Sequence, residues 1–207
     1  AACQQTYDSL KDDTNWCNAQ VVRYWLEHYR GSPGAAHTAA VALYERAAVT
    51  GHKQHRGWGA RCLALELLRQ GDLREARDLL ERAIELVSGP SKRVDLIPAV
   101  GALAVTHLRA GDRGRALEAA DRALELIEES KSPTSHSLLE GCSGAAEVLL
   151  AAQAEKWPMR TDRAATWAVR RAMRALGRYK AVFPIGKARH DLWQGDLHKS
   201  QGRDEQA

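Results

Sequence analysis

One phenylalanine, two methionines and few β-branched residues are spread over a chain of 207. A sheet core depends on β-branched and aromatic side chains, so their scarcity argues against a sandwich or a barrel. The 44% apolar share leans instead on alanine and leucine, residues that lose little on entering a helix. Cys3, Cys17, Cys62 and Cys142 show no C-x-x-C pairing, and a chain of this size needs no disulfide staples. Free thiols and a cytoplasmic location are therefore expected. No apolar run approaches the ~18 residues of a membrane span, and nothing resembles a signal peptide, so no membrane is expected as a partner. Also missing are G-x-x-x-x-G-K-[ST] and G-x-G-x-x-G, the backbone cradles for nucleotide phosphates. No cofactor and no catalytic residue are assigned.

Charge of one sign is scarce only locally. The net charge is +4, yet Glu155–Ala207 holds 12 basic and 6 acidic residues, leaving the first 154 residues at −2. Such a basic quarter either attracts phosphates or an acidic partner, or is simply a solvated face. The chain opens Ala-Ala-Cys and ends on GRDEQA, which reads as the start of another element; a piece of a longer protein is expected.

What is present is a phrase written twice, GDLREARDLLERAIEL at 71–86 and GDRGRALEAADRALEL at 111–126. Setting Gly71 on Gly111 also sets Ala64 on Ala104, Ala76 on Ala116 and Ala83 on Ala123. Each copy reads as two helices about a Gly-Asp turn, the first over roughly 57–70 and the second over roughly 72–87, with apolar residues three and four apart. Glycine suits the left-handed backbone that ends a helix, and Asp72 and Asp112 are placed to cap the next one. The connector SGPSKRVDLIP is expected to be non-helical at Pro90 and Pro98. Weaker copies flank these, one ending in ALYERAA at 42–48 and one beginning in LWQGDLHKSQGRDEQA, with Gly202 at its turn and Ala207 opening its second helix. Between them lie helices over roughly 135–153 and 163–181.

This pattern resembles the tetratricopeptide repeat. The fold class expected is all-α, a right-handed α-α superhelix of about nine helices. Its parts are a degenerate repeat at 1–56, two clear repeats at 57–129, and a longer helical pair with a truncated half repeat at 130–207. Two further stretches, SPTSHSLLEGCSGAAEVLLAA at 132–152 and ALGRYKAVFPIGKARHDLWQGDLHKSQG at 175–202, resemble C-terminal repeat regions of bacterial proteins that join a STAND-type ATPase to a class III adenylate/guanylate cyclase or a kinase. The resemblance covers about 70–207. It implies a non-catalytic sensing or scaffolding arm that contacts a protein, a peptide or other domains of its own chain.

In such repeats the first helices line an inner groove. The alignment puts Trp58, Arg61, Leu65, Leu68 and Arg69, then Gly101, Val105, Leu108 and Arg109, on that face. An apolar floor with an arginine rim suits an amphipathic acidic helix. Arg69 and Arg109 either form a positive ladder or merely neutralise helix C-termini. The second candidate surface is a basic ridge of Arg163, Arg170, Arg171, Arg174, Arg178 and Lys180, opposite a core stripe of Ala165, Ala168, Ala172, Leu176 and Tyr179. It fits nucleic-acid backbone or an acidic neighbour, and Trp167 and Tyr179 are expected to be packed. His52 with His55, His190 with His198, Glu140 with Glu147, and Cys142 lack the companions that a metal site or a hydrolytic pair requires, and no metal is assigned.

Overall fold

Glycine at four helix ends sets the layout. Gly31, Gly51, Gly71 and Gly111 all adopt left-handed backbone, with φ of 75°, 70°, 91° and 78°. Each closes one helix and lets the next begin within two residues. In a computed structural model, residues 2–89 and 93–200 are described, with side chains from residue 6 onward. Among them the chain is all-α, with no strand. It divides into two compact units, Ala1–Ser88 and Gly89–Ala207. The first holds α1 (Ala2–Ser9), α2 (Asp13–Arg30), α3 (Pro33–Thr50), α4 (Lys53–Gln70) and α5 (Leu73–Val87). The second holds α6 (Arg93–Arg109), α7 (Arg113–Glu129), α8 (Leu138–Ala154), α9 (Asp162–Val182), a short 3-10 turn at Pro184–Gly186, and α10 (Lys187–Ser200). The described residues thus make ten α-helices where about nine were expected, α1 being the addition. None of these helices is long and apolar enough to cross a membrane.

The joints share one hydrogen-bond pattern. After α4, the Gly71 amide donates to the Leu68 carbonyl (3.3 Å) and the Asp72 amide to the Leu67 carbonyl (3.0 Å). The same pair recurs after α2, from Gly31 to His28 and Ser32 to Glu27, and after α6, from Gly111 to Leu108 and Asp112 to His107. This double closure satisfies carbonyls that a helix end otherwise leaves bare. Three joints use lysine where glycine would be unstrained: Lys11, Lys131 and Lys156 have φ of 53°, 58° and 49°. Their cation beside the helix C-terminus offsets part of that cost.

Capping follows the sequence only in part. Asp112 Oδ1 accepts from the Arg115 amide at 3.1 Å, whereas Asp72 makes no side-chain cap bond, against expectation, and nothing in its surroundings explains the difference. Two boundaries are also corrected. α4 begins at Lys53 rather than near residue 57, because His52 caps it through Nδ1 and the His55 amide (3.4 Å). α6 runs from Arg93 through Pro98. Pro98 sits five residues in, forgoes only the bond to the Val94 carbonyl, and is buried. Pro90, Gly202 and Ala207 lie outside the described residues.

Packing in each unit rests on small residues. In the second, α6 crosses α8 where Gly101 meets Gly141 and Gly144. A Cβ on Gly101 would stand 2.5 Å from the Gly141 Cα, and one on Gly144 would stand 2.4 Å from the Gly101 carbonyl oxygen. Both obstacles are backbone and cannot rotate away. In the first unit, a Cβ on Gly59 of α4 would lie 2.7 Å from the Tyr44 Cα of α3. The buried alanines Ala64, Ala76, Ala83, Ala104, Ala116 and Ala123 extend this close approach to both copies of the repeated phrase.

Gly144→Ala and Gly101→Ala are expected to lower stability by about 1–3 kcal/mol through overpacking. Gly114→Ala, whose Cβ would meet only Asp112 Oδ1 at 3.8 Å, should raise it by about 0.5–1 kcal/mol through helix propensity. Urea midpoints at fixed m-value measure both.

Candidate functional site

In the first unit the polar groups that the apolar faces of α2 and α4 do not need are gathered in one place. Tyr24, Trp25, His28 and Tyr29 share one side of α2 through their spacing. Their rings are in contact, Trp25 stacking on Tyr29 at 5.3 Å and meeting Tyr24 edge-on at 5.0 Å. Facing them from α4 is Glu66, 1% exposed. Tyr24 donates its hydroxyl to Glu66 Oε1 at 3.1 Å, and His28 Nδ1 lies 2.8 Å from the same oxygen. Arg69 Nη1 approaches Oε2 at 3.3 Å. A carboxylate taken out of water needs this many donors; with Glu66 as acceptor, His28 carries its proton on Nδ1.

Arg61 lies in the same region, 3% exposed. Its guanidinium sits 5.6 Å over the Trp25 ring and its Nε has no hydrogen-bond partner. Next to it, burial pushes the Cys62 thiol up to about 12, against a small opposing pull from Arg61. Cys142 in the second unit is likewise pushed to about 12 by burial, and Cys17 is raised for the same reason. All three stay protonated at neutral pH, and a thiol is a poor nucleophile.

The predicted groove is corrected by this burial. Arg61, Leu65 and Leu68 are buried, Trp58 is half-buried, and Arg69 is the exposed member of the first-unit set. In the second unit Gly101 and Val105 are buried, Leu108 is half-buried and Arg109 is exposed. The alignment identified a face of each first helix but not how closely glycine and alanine let neighbouring helices cover it. Both arginines stand in the last turn of their helices and each also meets a carboxylate. Arg69 reaches Glu66, and Arg109 Nη2 lies 3.8 Å from Glu147.

In the second unit the stretches that carry the family resemblance clasp each other. Tyr179 of α9 donates to the His136 carbonyl at 2.6 Å. Ser143 of α8, 1% exposed, accepts from Trp193 Nε1 of α10 at 2.9 Å and faces Arg189 Nη1 at 3.4 Å. One turn on, burial raises the Glu147 carboxyl; Arg109 and Arg189 pull it down and Glu140 adds to the rise. The two glutamates therefore do share a face, with arginines rather than a proton-transfer partner around Glu147.

The basic ridge forms on α9, and its core stripe is buried as expected, from Ala165 to Tyr179. Arg163, Arg170, Arg174 and Arg178 are exposed. Arg171 is half-buried, its Nε donating to Glu128 Oε1 at 2.8 Å while Nη2 takes Oε2. Lys180 Nζ lies 3.0 Å from His190 Nδ1 and 3.7 Å from Asp191. Trp167 departs from expectation: it is 60% exposed, with the Arg171 guanidinium 4.2 Å from its ring centroid. The core side of α9 is filled by alanine, leucine and tyrosine, so the indole lies on the outer arc and takes a cation on its face.

His52, His55 and His198 are engaged locally. His52 and His55 stack at 4.2 Å, and His55 Nε2 lies 3.1 Å from Asn18 Oδ1. His198 Nε2 lies 2.8 Å from Gln194. No three His, Cys, Asp or Glu side chains converge as metal ligands would among the described residues. Comparison of the chain with family models and with curated proteins returns no match.

Glu66→Gln removes the charge that three donors converge on and is expected to cost about 1.5–3 kcal/mol, while Arg69→Gln, at the exposed edge of the cluster, should cost less than about 1 kcal/mol. Chemical denaturation of the two variants checks the order. His55 supplies a pH signature. Burial first, then the charge of His52, lowers its pKa below the ordinary 6.5. The unfolded chain therefore takes up the proton first, so the contribution of His55 is full above about pH 6.5 and is lost as pH falls toward the folded value. Wild type should lose more stability than His55→Gln between about pH 8 and 5.5.

Proposed function

We propose that the chain is a non-catalytic helical-repeat module of the tetratricopeptide type, mediating protein–protein contact as a sensing or scaffolding arm of a larger cytoplasmic signalling ATPase or cyclase of bacterial kind. The observation that carries this reading is the recurrence of one helix joint, glycine with the same two main-chain bonds, after α2, α4 and α6. A repeated joint between amphipathic helices is how a chain builds extended surface, with function on that surface. The chemistry of the interior supports it. The Glu66 carboxylate is bound by three side chains, and the buried thiols are held protonated. These groups hold helices together.

The link to a signalling ATPase or cyclase rests on the PTSHSLLEG and FPIG stretches. The partner, whether a separate protein or peptide or another domain of the same chain, is expected to engage Arg69 with Trp58 on α4 of the first unit, or Arg109 with Leu108 on α6 of the second, the arginines exposed and the other two half-buried. An acidic amphipathic helix matches that chemistry.

Two measurements test the reading. An antibody against residues 111–126 should detect, in the source cell, a protein much larger than this chain's 22.8 kDa; a band at that mass alone would sink the proposed parent. An acidic amphipathic helical peptide should bind the wild-type chain and bind the Arg69→Ala/Arg109→Ala double variant at least about tenfold more weakly, since desolvated charged anchors at interfaces are worth roughly 2 kcal/mol or more. Equal affinities would remove the arginines from the partner surface.

A further inference from the structure

The +4 net charge of the chain belongs entirely to the second unit, since residues 1–88 carry 11 basic and 11 acidic side chains. Within that unit the charge is concentrated on α9. At about 100° per residue, Arg163, Trp167, Arg170, Arg174 and Arg178 fall within roughly 80° of arc, opposite the buried Ala168, Ala172 and Leu176. Four of these five are guanidiniums, exposed and without an ion pair or hydrogen bond among the described residues. They extend over 16 residues, about 22 Å of helix from first to last. No carboxylate of α9 lies within the arc, since Asp162 falls aside at the first turn; Glu128 of α7 is bonded to Arg171 and also feels the charge of Arg174 and Arg178.

The fifth member is the indole. Arg171 covers one face of Trp167 and is itself fixed by two bonds to Glu128. The ring lies 60% exposed with this guanidinium over it. A protein interface of this size would surround such an anchor with apolar neighbours and keep charge to the rim. Here the neighbours are cations. Unpaired cations in a row with one presented aromatic face are what a single-stranded nucleic acid requires, charge for its phosphates and a plate for an unpaired base. A duplex offers the same phosphates but hides its base faces. We infer that the outer face of α9 binds single-stranded nucleic acid, with Arg163, Arg170, Arg174 and Arg178 on the phosphates and Trp167 stacking on a base.

The test is a titration of the full chain against a fluorescein-labelled oligo(dT) of about 12 nucleotides, read by anisotropy between about 50 and 200 mM salt. Four phosphate contacts at roughly −0.7 each give an expected slope near −3 for log affinity against log salt. Arg170→Gln and Arg174→Gln should each make that slope shallower by about 0.7. Trp167→Ala should weaken binding roughly tenfold and leave the slope unchanged. These side chains face solvent, so circular dichroism should show the same helicity in every variant. Equal affinity for a duplex of the same length, or no effect of Trp167→Ala, overturns the assignment. Poly-glutamate competing as well as the oligonucleotide overturns it in favour of an acidic protein segment. No binding even at the lowest salt leaves α9 a solvated face and ends the proposal.

Discussion

Backbone meeting backbone at Gly101, Gly141 and Gly144 is the constraint on which the second unit depends. With no Cβ at these positions, α6 and α8 approach until main-chain atoms touch, and dispersion is gained over the whole contact. The other neighbours of α8 are tied by polar contacts. Tyr179 gives its hydroxyl to the His136 carbonyl, and Ser143 takes the Trp193 indole hydrogen. The first unit gathers its polar contacts around Glu66, where α4 is drawn against α2 and the carboxylate must find Tyr24, His28 and Arg69.

Local chemistry was legible from sequence wherever one residue type has one conformational use. Gly71 and Gly111 are helix ends because left-handed backbone penalises any side chain, and the stripe from Ala165 to Tyr179 is core because its spacing matches the helical repeat. Pro98 was misjudged since a proline near a helix start costs one bond, and burial outweighed it. His52 was not foreseen as a cap, since imidazole seldom fills that role.

The candidate sites were less legible, for reasons of distance and coverage. Glu66 sits on an apolar helix face, a signal in itself, but its partners Tyr24 and His28 lie 42 and 38 residues away and no periodicity links them. The proposed groove residues divide by burial. Arg61, Leu65 and Val105 were placed on the correct helices, yet an alignment of repeats carries no information on how near the next helix stands. Trp167 was assigned to the interior on hydrophobicity, while its position on the outer arc and the cation four residues on decided the matter.

The joint after α2 has the same left-handed glycine and the same two bonds as the joints after α4 and α6, although HYRGSPG shares little with LRQGDLR or LRAGDRG. The bonds run between main-chain atoms, and only a left-handed residue at the joint is dictated, glycine at these three and lysine after α1 and α8. Little information per joint is needed to specify the turn, so the letters around it are free to drift. A chain built this way can lose the likeness between its copies, to itself and to its relatives, long before it loses the shape that the copies produce.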